Sequence, residues 1–522
     1  PSYATRAMAS TSMPQATLAA LDMLRAGGNA VDAAVTAASV MAVIEPQSTG
    51  IGGDCFVLYA PAGSGRVIAL NGSGRAPAAA TPEALAASGV TALEPTSPHS
   101  VTIPGAVAAW ELLLAEHGRR GLADLLEPAI HFAEVGFPVH QRVADDWAAA
   151  VGRLRAGGAE AFLPGGAAPR AGDRFANPAL AATLRTIARD GARGFYEGAV
   201  AADMAATLRA RGGLHTEADF AAGRTAAQFV EPLHARWRGL DVWQCPPNGQ
   251  GLLVLMLLGI LGGMETAPDG PLGTVRLHRH LEAARLVYWD RDAFVADPAQ
   301  ADVPVSRLLD PAYLDALRRL IRDDRAMPEM PAPGEALLPR HRDTTYLCVV
   351  DRDGNACSFI NSLFQGFGSG ILARRAGVML HNRGFGFRLQ PGHPNCIAPN
   401  KRPMHTIIPG MVTEGGRPVM PFGVMGGHFQ PMGQTLFLAN MVEYGLGIQQ
   451  ALDLPRAFAT GGRVELERGI PEDVAAALAR LGHAVERVEK PHGGGQAIWI
   501  DHARGVLVGG SDPRKDGLAM GY

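Results

Sequence analysis

The chain has 522 residues, ample for a large buried core and, at about 100–200 residues per domain, enough for two or three units. Its 47% hydrophobic content excludes a disordered chain. Its 47 basic and 50 acidic residues give a formal net charge of −3, which excludes both a basic surface for a nucleic acid backbone and an acidic tail.

Residues 14–44 read as two helices. Leu18, Leu21 and Leu24 lie on one face of the first, which ends at Gly27-Gly28; the second runs from Ala33 to Val43 and stops at Glu45-Pro46. After the glycine-rich turn Gly50–Gly53, the runs Cys55–Tyr59 and Arg66–Leu70 read as a hairpin. Residues 105–260 read as mostly helix with Pro and Gly breaks, and 275–294 as one amphipathic helix. The apolar run Gly251–Met264 is too short to span a bilayer, so no membrane partner is expected. Residues 322–343 are charged, rich in Pro and aperiodic, and read as an exposed connector. Strands follow at once, Thr344–Val350 and Ala356–Ser362, joined by a turn carrying Asp353-Gly354.

Cys55, Cys245, Cys348, Cys357 and Cys396 are odd in number and without metal-ligand spacing. They read as small apolar core residues in a reducing compartment, so a cytoplasmic location is expected. The chain does not begin with Met, which leaves a trimmed leader, and so periplasm or secretion, open.

The junction between the connector and a strand opening with Thr344-Thr345 is the chemical feature. A threonine hydroxyl is a poor nucleophile until a base sits beside it, and a free α-amine on the same residue can be that base. Such an amine has a pKa of about 7.7–8.0, so a usable fraction is neutral near pH 7. Freeing it requires a cut between Asp343 and Thr344.

The stretch Asp343–Asn355 resembles the processing site of the γ-glutamyltransferase family. Other blocks match in the same order: Ala26–Ala34, Glu45–Gly53, Glu282 with Asp290–Asp292, Phe367–Ile371, Pro399–Pro403, Met425–Gly427, Asp453–Arg456 and Ser511–Arg514. The resemblance implies an α+β fold, a four-layer αββα sandwich built jointly by two subunits of one precursor. Residues 1–343 would be the large subunit, with a helical N-terminal part, sandwich strands and the terminal connector 322–343; residues 344–522 would be the small subunit. It also implies Thr344 as nucleophile with Thr345 beside it, Ser362 as the hydroxyl near its amine, and Gly426 and Gly427 as an oxyanion pair. Two glycines let backbone N–H groups approach a developing O⁻ closely.

Departures from the family pattern concern the substrate. Ser73 stands where γ-glutamyl enzymes carry an arginine for the α-carboxylate, with Arg75 two residues on. Gly386 stands where they carry an aspartate for the α-amine, and Phe364 replaces an asparagine. A zwitterionic glutamyl head would lack both partners, and an unpaired buried ammonium is costly. Asn382-Arg383-Gly384, Lys401–Thr406 and Gly426–Pro431 resemble instead a branch that includes oxamate amidohydrolase and acylase-like proteins. Ser73, Arg75, Asn382, Arg383, His405, Thr406 and His428 are the candidate substrate contacts.

The expected function is therefore a self-processing threonine amidohydrolase or acyltransferase acting on a small amide, with no cofactor and no metal. Its expected partners are its own two subunits and, further, a homodimer of that heterodimer. A genuine γ-glutamyltransferase and an unprocessed, inactive binding homologue are the alternatives. His278-Arg279-His280 with Glu282 is a poor metal motif, because i and i+2 do not share a helix face. Gly366–Gly370 lacks the spacing of a nucleotide loop.

Overall fold

The strand Thr345–Val350 is buried along its whole length, and its side chains alternate between two cores. Tyr346, Cys348 and Val350 join a core that also holds Phe56, Ile360, Met411, Met425 and Ile498. Leu347 and Val349 face a second core, with Val31, Val35, Val57, Leu113 and Phe359. A strand covered on both faces must be apolar throughout, as this one is.

The computed structural model describes residues 1–328 and 344–522; residues 329–343 of the connector, Asp343 included, lie outside the described residues. Two seven-stranded sheets, each antiparallel throughout, form the centre. One runs in the order Leu518–Gly521, Met8–Thr11, Thr345–Val350, Ala356–Ser362, Asp54–Ala60, Ile68–Gly72, Gln228–Val230. The other runs Ser2–Ala4, Val506–Ser511, Gly494–Asp501, Arg417–Met425, Gly410–Glu414, Leu240–Gln244, Leu233–Trp237. The helices Pro14–Arg25, Ala30–Ile44 and Ala106–His117 cover the first sheet. Leu252–Gly262, Thr274–Phe294 and Gln430–Val442 cover the second. The layers are helix, sheet, sheet, helix, the expected αββα sandwich, and both sheets take strands from before and after position 344.

Several expectations need correction. The second helix begins at Ala30, because Asn29 accepts from the amides of Val31 and Asp32 while Asp32 accepts from the amide of Asn29. This is a reciprocal cap. Residues 228–244 are three strands rather than helix; the alternation in Leu233-His-Ala-Arg-Trp237 is a strand pattern. The helix Thr274–Phe294 is not amphipathic. Arg276, His278, His280, Glu282, Asp290 and Arg291 are all buried. His278 meets His483 and the carbonyl of Arg322, and Glu282 pairs with Arg285. No helix among the described residues is long and apolar enough to cross a membrane. The five cysteines are free, and Cys55, Cys245, Cys348 and Cys357 are buried.

Two of the matching blocks meet in a buried ion cluster. Asp512 accepts from Arg456 Nη2 (2.5 Å), the Gly495 amide (2.8 Å) and Arg514 Nη1 (3.0 Å). Arg514 also holds Glu467 and the carbonyls of Leu452 and Leu454. Burial alone would raise the Asp512 carboxyl, but the Arg456 and Arg514 guanidiniums outweigh it and hold it below the ordinary value. Its folded pKa is thus depressed, so its stabilisation is fully present above the unfolded value of about 3.9 and is lost on acidification below it. Asp512→Asn removes the charge between two buried guanidiniums and should destabilise the protein by about 3–5 kcal/mol. A denaturation midpoint unchanged at pH 7 would show that the cluster is not holding the fold.

Candidate active site

Register places the central residues. Thr345 pairs with Asn361 and Asp54 with Ser362 across neighbouring strands, so Thr344 arrives beside Ser362 at the end of the sheet. Thr344 is buried, with Oγ1 3.2 Å from Ser362 Oγ. Ser362 Oγ accepts from the Phe364 amide (2.9 Å) and from Arg383 Nη2 (3.5 Å). A hydroxyl has two acceptor sites and one proton. Both acceptor sites of Ser362 are thus engaged, and its proton points to Thr344 Oγ1. Thr345 donates instead to the carbonyl of Asn361 (3.1 Å), within its own ladder.

The Ser362–Phe364 turn puts Phe364 at φ +79°, a conformation that costs a non-glycine residue about 1–3 kcal/mol. Its ring lies against the Arg383 guanidinium, 4.0 Å from Cζ to the ring centroid, and meets the His428 ring edge-on. Arg383 is completely buried and donates from Nη1 to Thr406 Oγ1 (2.7 Å). Burial pulls its guanidinium down to about 9, against the opposing field of Asp54, so it remains a cation at neutral pH. No carboxylate among the described residues touches it.

Asp54, unforeseen from the sequence, is fully buried. Burial would raise its carboxyl, but His381, His405 and Arg383 outweigh this and bring it to about 2. Its Oδ1 accepts from the amides of Gly74 (3.0 Å) and Gly105 (3.1 Å), and its Oδ2 from His405 Nε2 (2.9 Å). A Cβ on Gly74 would lie 1.7 Å from the Ile103 carbonyl oxygen, so only glycine fits that approach. Burial, with Arg383 nearby, brings His405 down to about 3; it is a neutral donor to an ionised carboxylate.

Gly426 (φ +119°) and Gly427 (φ +58°) end the strand Arg417–Met425 in left-handed conformations suited to glycine. Gln250 Nε2 ties the Gly427 carbonyl (2.9 Å) to that of Thr406 (2.8 Å), joining the glycine turn to the Arg383 side. Next to the glycines, His428 Nδ1 lies 3.0 Å from Arg291 Nη1. A guanidinium only donates. His428 Nδ1 is therefore the acceptor, and Nε2 carries the proton. Burial and the neighbouring cations, Arg291 first, keep this ring neutral.

The structure thus brings together Thr344, Ser362, Arg383, Thr406, Gly427 and His428, with His405 joined through Asp54. Asn382 is a clamp, donating to Gln365 Oε1 (3.0 Å) and the Pro95 carbonyl (3.0 Å). Ser73 accepts from Asn248 (2.9 Å), whose carbonyl receives the His405 amide. Arg75 turns to the Asn400 carbonyl and to Asp297 at 3.8 Å, with 29% of its side chain exposed. Among the described residues no cluster of three or more His, Cys, Asp or Glu has the makings of a metal site.

The sequence matches the family described as Gamma-glutamyltranspeptidase over residues 16–522. The glutathione hydrolase-like YwrD proenzyme of Bacillus subtilis is 37% identical, covering 96% of this chain and 95% of its own length. The oxamate amidohydrolase proenzyme of Klebsiella pneumoniae is also 37% identical, covering 97% of each. The crystal structure of cephalosporin acylase from Bacillus halodurans superposes with a TM-score of 0.93 at 40% identity, covering 100% of this chain and 96% of that one.

The buried imidazoles give a direct check. In a histidine-selective NMR titration, His405 and His428 should keep neutral-ring shifts from pH 8 down to pH 5. A protonation midpoint for either inside that window would contradict the charge arrangement described.

Proposed function

The chain belongs to the gamma-glutamyltranspeptidase family and is an amide-hydrolysing or acyl-transferring enzyme; from that premise we propose that it cuts itself before Thr344 and then uses Thr344 as an N-terminal nucleophile. The observation that carries this reading is the buried Thr344 hydroxyl at the head of a central strand, 3.2 Å from a serine whose other hydrogen-bonding sites are taken. That both similar proenzymes carry such names supports the processing step.

In maturation, Thr344 Oγ attacks the Asp343 carbonyl carbon. The C–N bond breaks as the acyl group passes from nitrogen to oxygen, leaving an ester. Water cleaves the ester to give the Asp343 carboxylate and a free α-amine on Thr344. Residues 1–343 and 344–522 become separate chains that remain interleaved, because both sheets use strands from each side of the cut.

In turnover the α-amine takes the proton of Thr344 Oγ as that oxygen adds to the substrate's amide carbon. Backbone N–H groups at Gly426 and Gly427 meet the developing oxyanion. Each such donor contributes about 2.7–4 kcal/mol in the transition state. The amine leaves with the proton, and water, or an amine acceptor, takes the acyl group from Thr344. The substrate is not a γ-glutamyl amide: Ser73 and Gly386 supply neither charge for a zwitterionic head. The nearby Asp54 is already engaged by two backbone amides and His405.

Intact-mass measurement should find a small chain beginning at Thr344. Thr344→Ala should stay in one piece and be inactive; a break elsewhere, or activity in that variant, defeats the mechanism. For the oxyanion site, Gly427→Ala is the informative change. It should reduce kcat by about 10²–10³ while the protein remains folded and cut. Near-normal turnover would place the oxyanion donors elsewhere.

A further inference from the structure

Arg383 and His428 both hold unused donors and both contact the Phe364 ring. A guanidinium has five N–H bonds. Arg383 spends one on Thr406 and a long one on Ser362, and its Nε has no partner. His428 Nε2, the protonated nitrogen, also has none. Both side chains are buried, Arg383 over the Phe364 ring and His428 in a T-shaped contact with it. Buried donors without acceptors are costly unless something supplies the acceptor.

Among the described residues, protein groups do not. The nearest acid in the electrostatic sense, Asp54, has both oxygens bonded to Gly74, Gly105 and His405. It offsets the arginine's charge through space without taking up its hydrogen-bonding edge. That arrangement keeps a buried cation tolerable while leaving its donors for a ligand. What fits two donors, one of them cationic, is an acceptor-only anion; an ammonium is repelled.

Position sets the ligand's length. Arg383 Nη2 reaches Ser362 Oγ, and Ser362 Oγ reaches Thr344 Oγ1, so the guanidinium is no further from the nucleophile than those two contacts end to end. An acyl carbon bonded to Oγ1, one or two C–C bonds of about 1.5 Å, and a charge-assisted hydrogen bond of about 2.8 Å span that gap. A four- or five-carbon diacid fits that gap only by folding back on itself.

We propose that the substrate is the monoamide of a short dicarboxylic acid, of the oxamate or malonamate type, whose free carboxylate is held by Arg383 and His428 across Phe364. The inference rests on Thr344 being the nucleophile. Its hydrolysis adds water across the C–N bond, giving a dicarboxylate and ammonia or an amine.

The test is a kcat/KM series on enzyme that mass spectrometry shows to be cut at Thr344. The series comprises oxamate, malonamate, succinamate, glutaramate, uncharged oxamide and a γ-glutamyl anilide. Oxamate or malonamate should exceed oxamide, glutaramate and the anilide by about 10²-fold or more. In Arg383→Met the preference for the charged over the uncharged amide should collapse, and Arg383→Lys should restore part of it. Oxamide equal to or better than oxamate, glutaramate or the anilide as best substrate, or an intact preference in Arg383→Met, would overturn the proposal. Should either variant fail to fold, the series on the unaltered protein still decides. A cut, active enzyme indifferent to the carboxylate counts against this pocket alone; an uncut chain that hydrolyses no amide counts against the nucleophile beneath it.

Discussion

The pairing of Thr345 with Asn361, and of Ser362 with Asp54, is the constraint from which the site follows. Because the ladder is antiparallel, Thr344 emerges next to Ser362 and one strand from Asp54. A slip of one residue would turn Tyr346, Cys348 and Val350 out of the core between the sheets and into the helix-facing core. The two cores hold different side chains, so the packing that stabilises the sandwich also fixes Thr344 to within a hydrogen bond of Ser362. The turn at Asp351 strengthens the register from the far end, since Asp351 Oδ2 accepts the Ala30 amide at the N-terminus of the helix Ala30–Ile44. A carboxylate there is favoured by the helix dipole.

Around this rigid frame the charges are unusually well separated from their contacts. Asp54 is held by two backbone amides and an imidazole, while Arg383 leans on a phenylalanine ring and two hydroxyls. The pair balance each other's field without forming a salt bridge. Direct pairing would have closed the arginine's donor edge. Gly74 and Gly105 make the arrangement possible, since side chains there would collide with neighbouring backbone before Asp54 could reach their amides.

The sequence made the reactive end of the molecule legible. The Asp-Gly turn between two apolar runs located the hairpin, and the change from a charged, Pro-rich connector to a strand located Thr344. Gly426 and Gly427 were read from the family resemblance, and the structure adds that both have left-handed backbone at a strand's end. What escaped was long-range and polar. Asp54 opens a strand of apolar residues, and its partner His405 is distant in the chain; no local pattern ties them. The strands at 228–244 were hidden by their shortness and by Arg and His on their exposed face. Arg75 and Arg383 looked alike in sequence, and burial separates them: one is at the surface beside Asp297, the other at the heart of the site. The polar positions of the helix Thr274–Phe294 suggested an outer face, yet several are buried with partners from elsewhere in the fold, as His278 is with His483 and Arg276 with Asn440.

The central claim is that Thr344 Oγ carries the acyl group during turnover. Rapid quenching of the cut enzyme during turnover of a slowly hydrolysed amide, followed by peptide mapping by mass spectrometry, tests it most directly. The account predicts the acyl mass on the N-terminal peptide of the small chain, at Thr344 and at no other residue. An acyl group found on Ser362 or Thr345, or steady turnover with Thr344 unmodified at every time point, would contradict it.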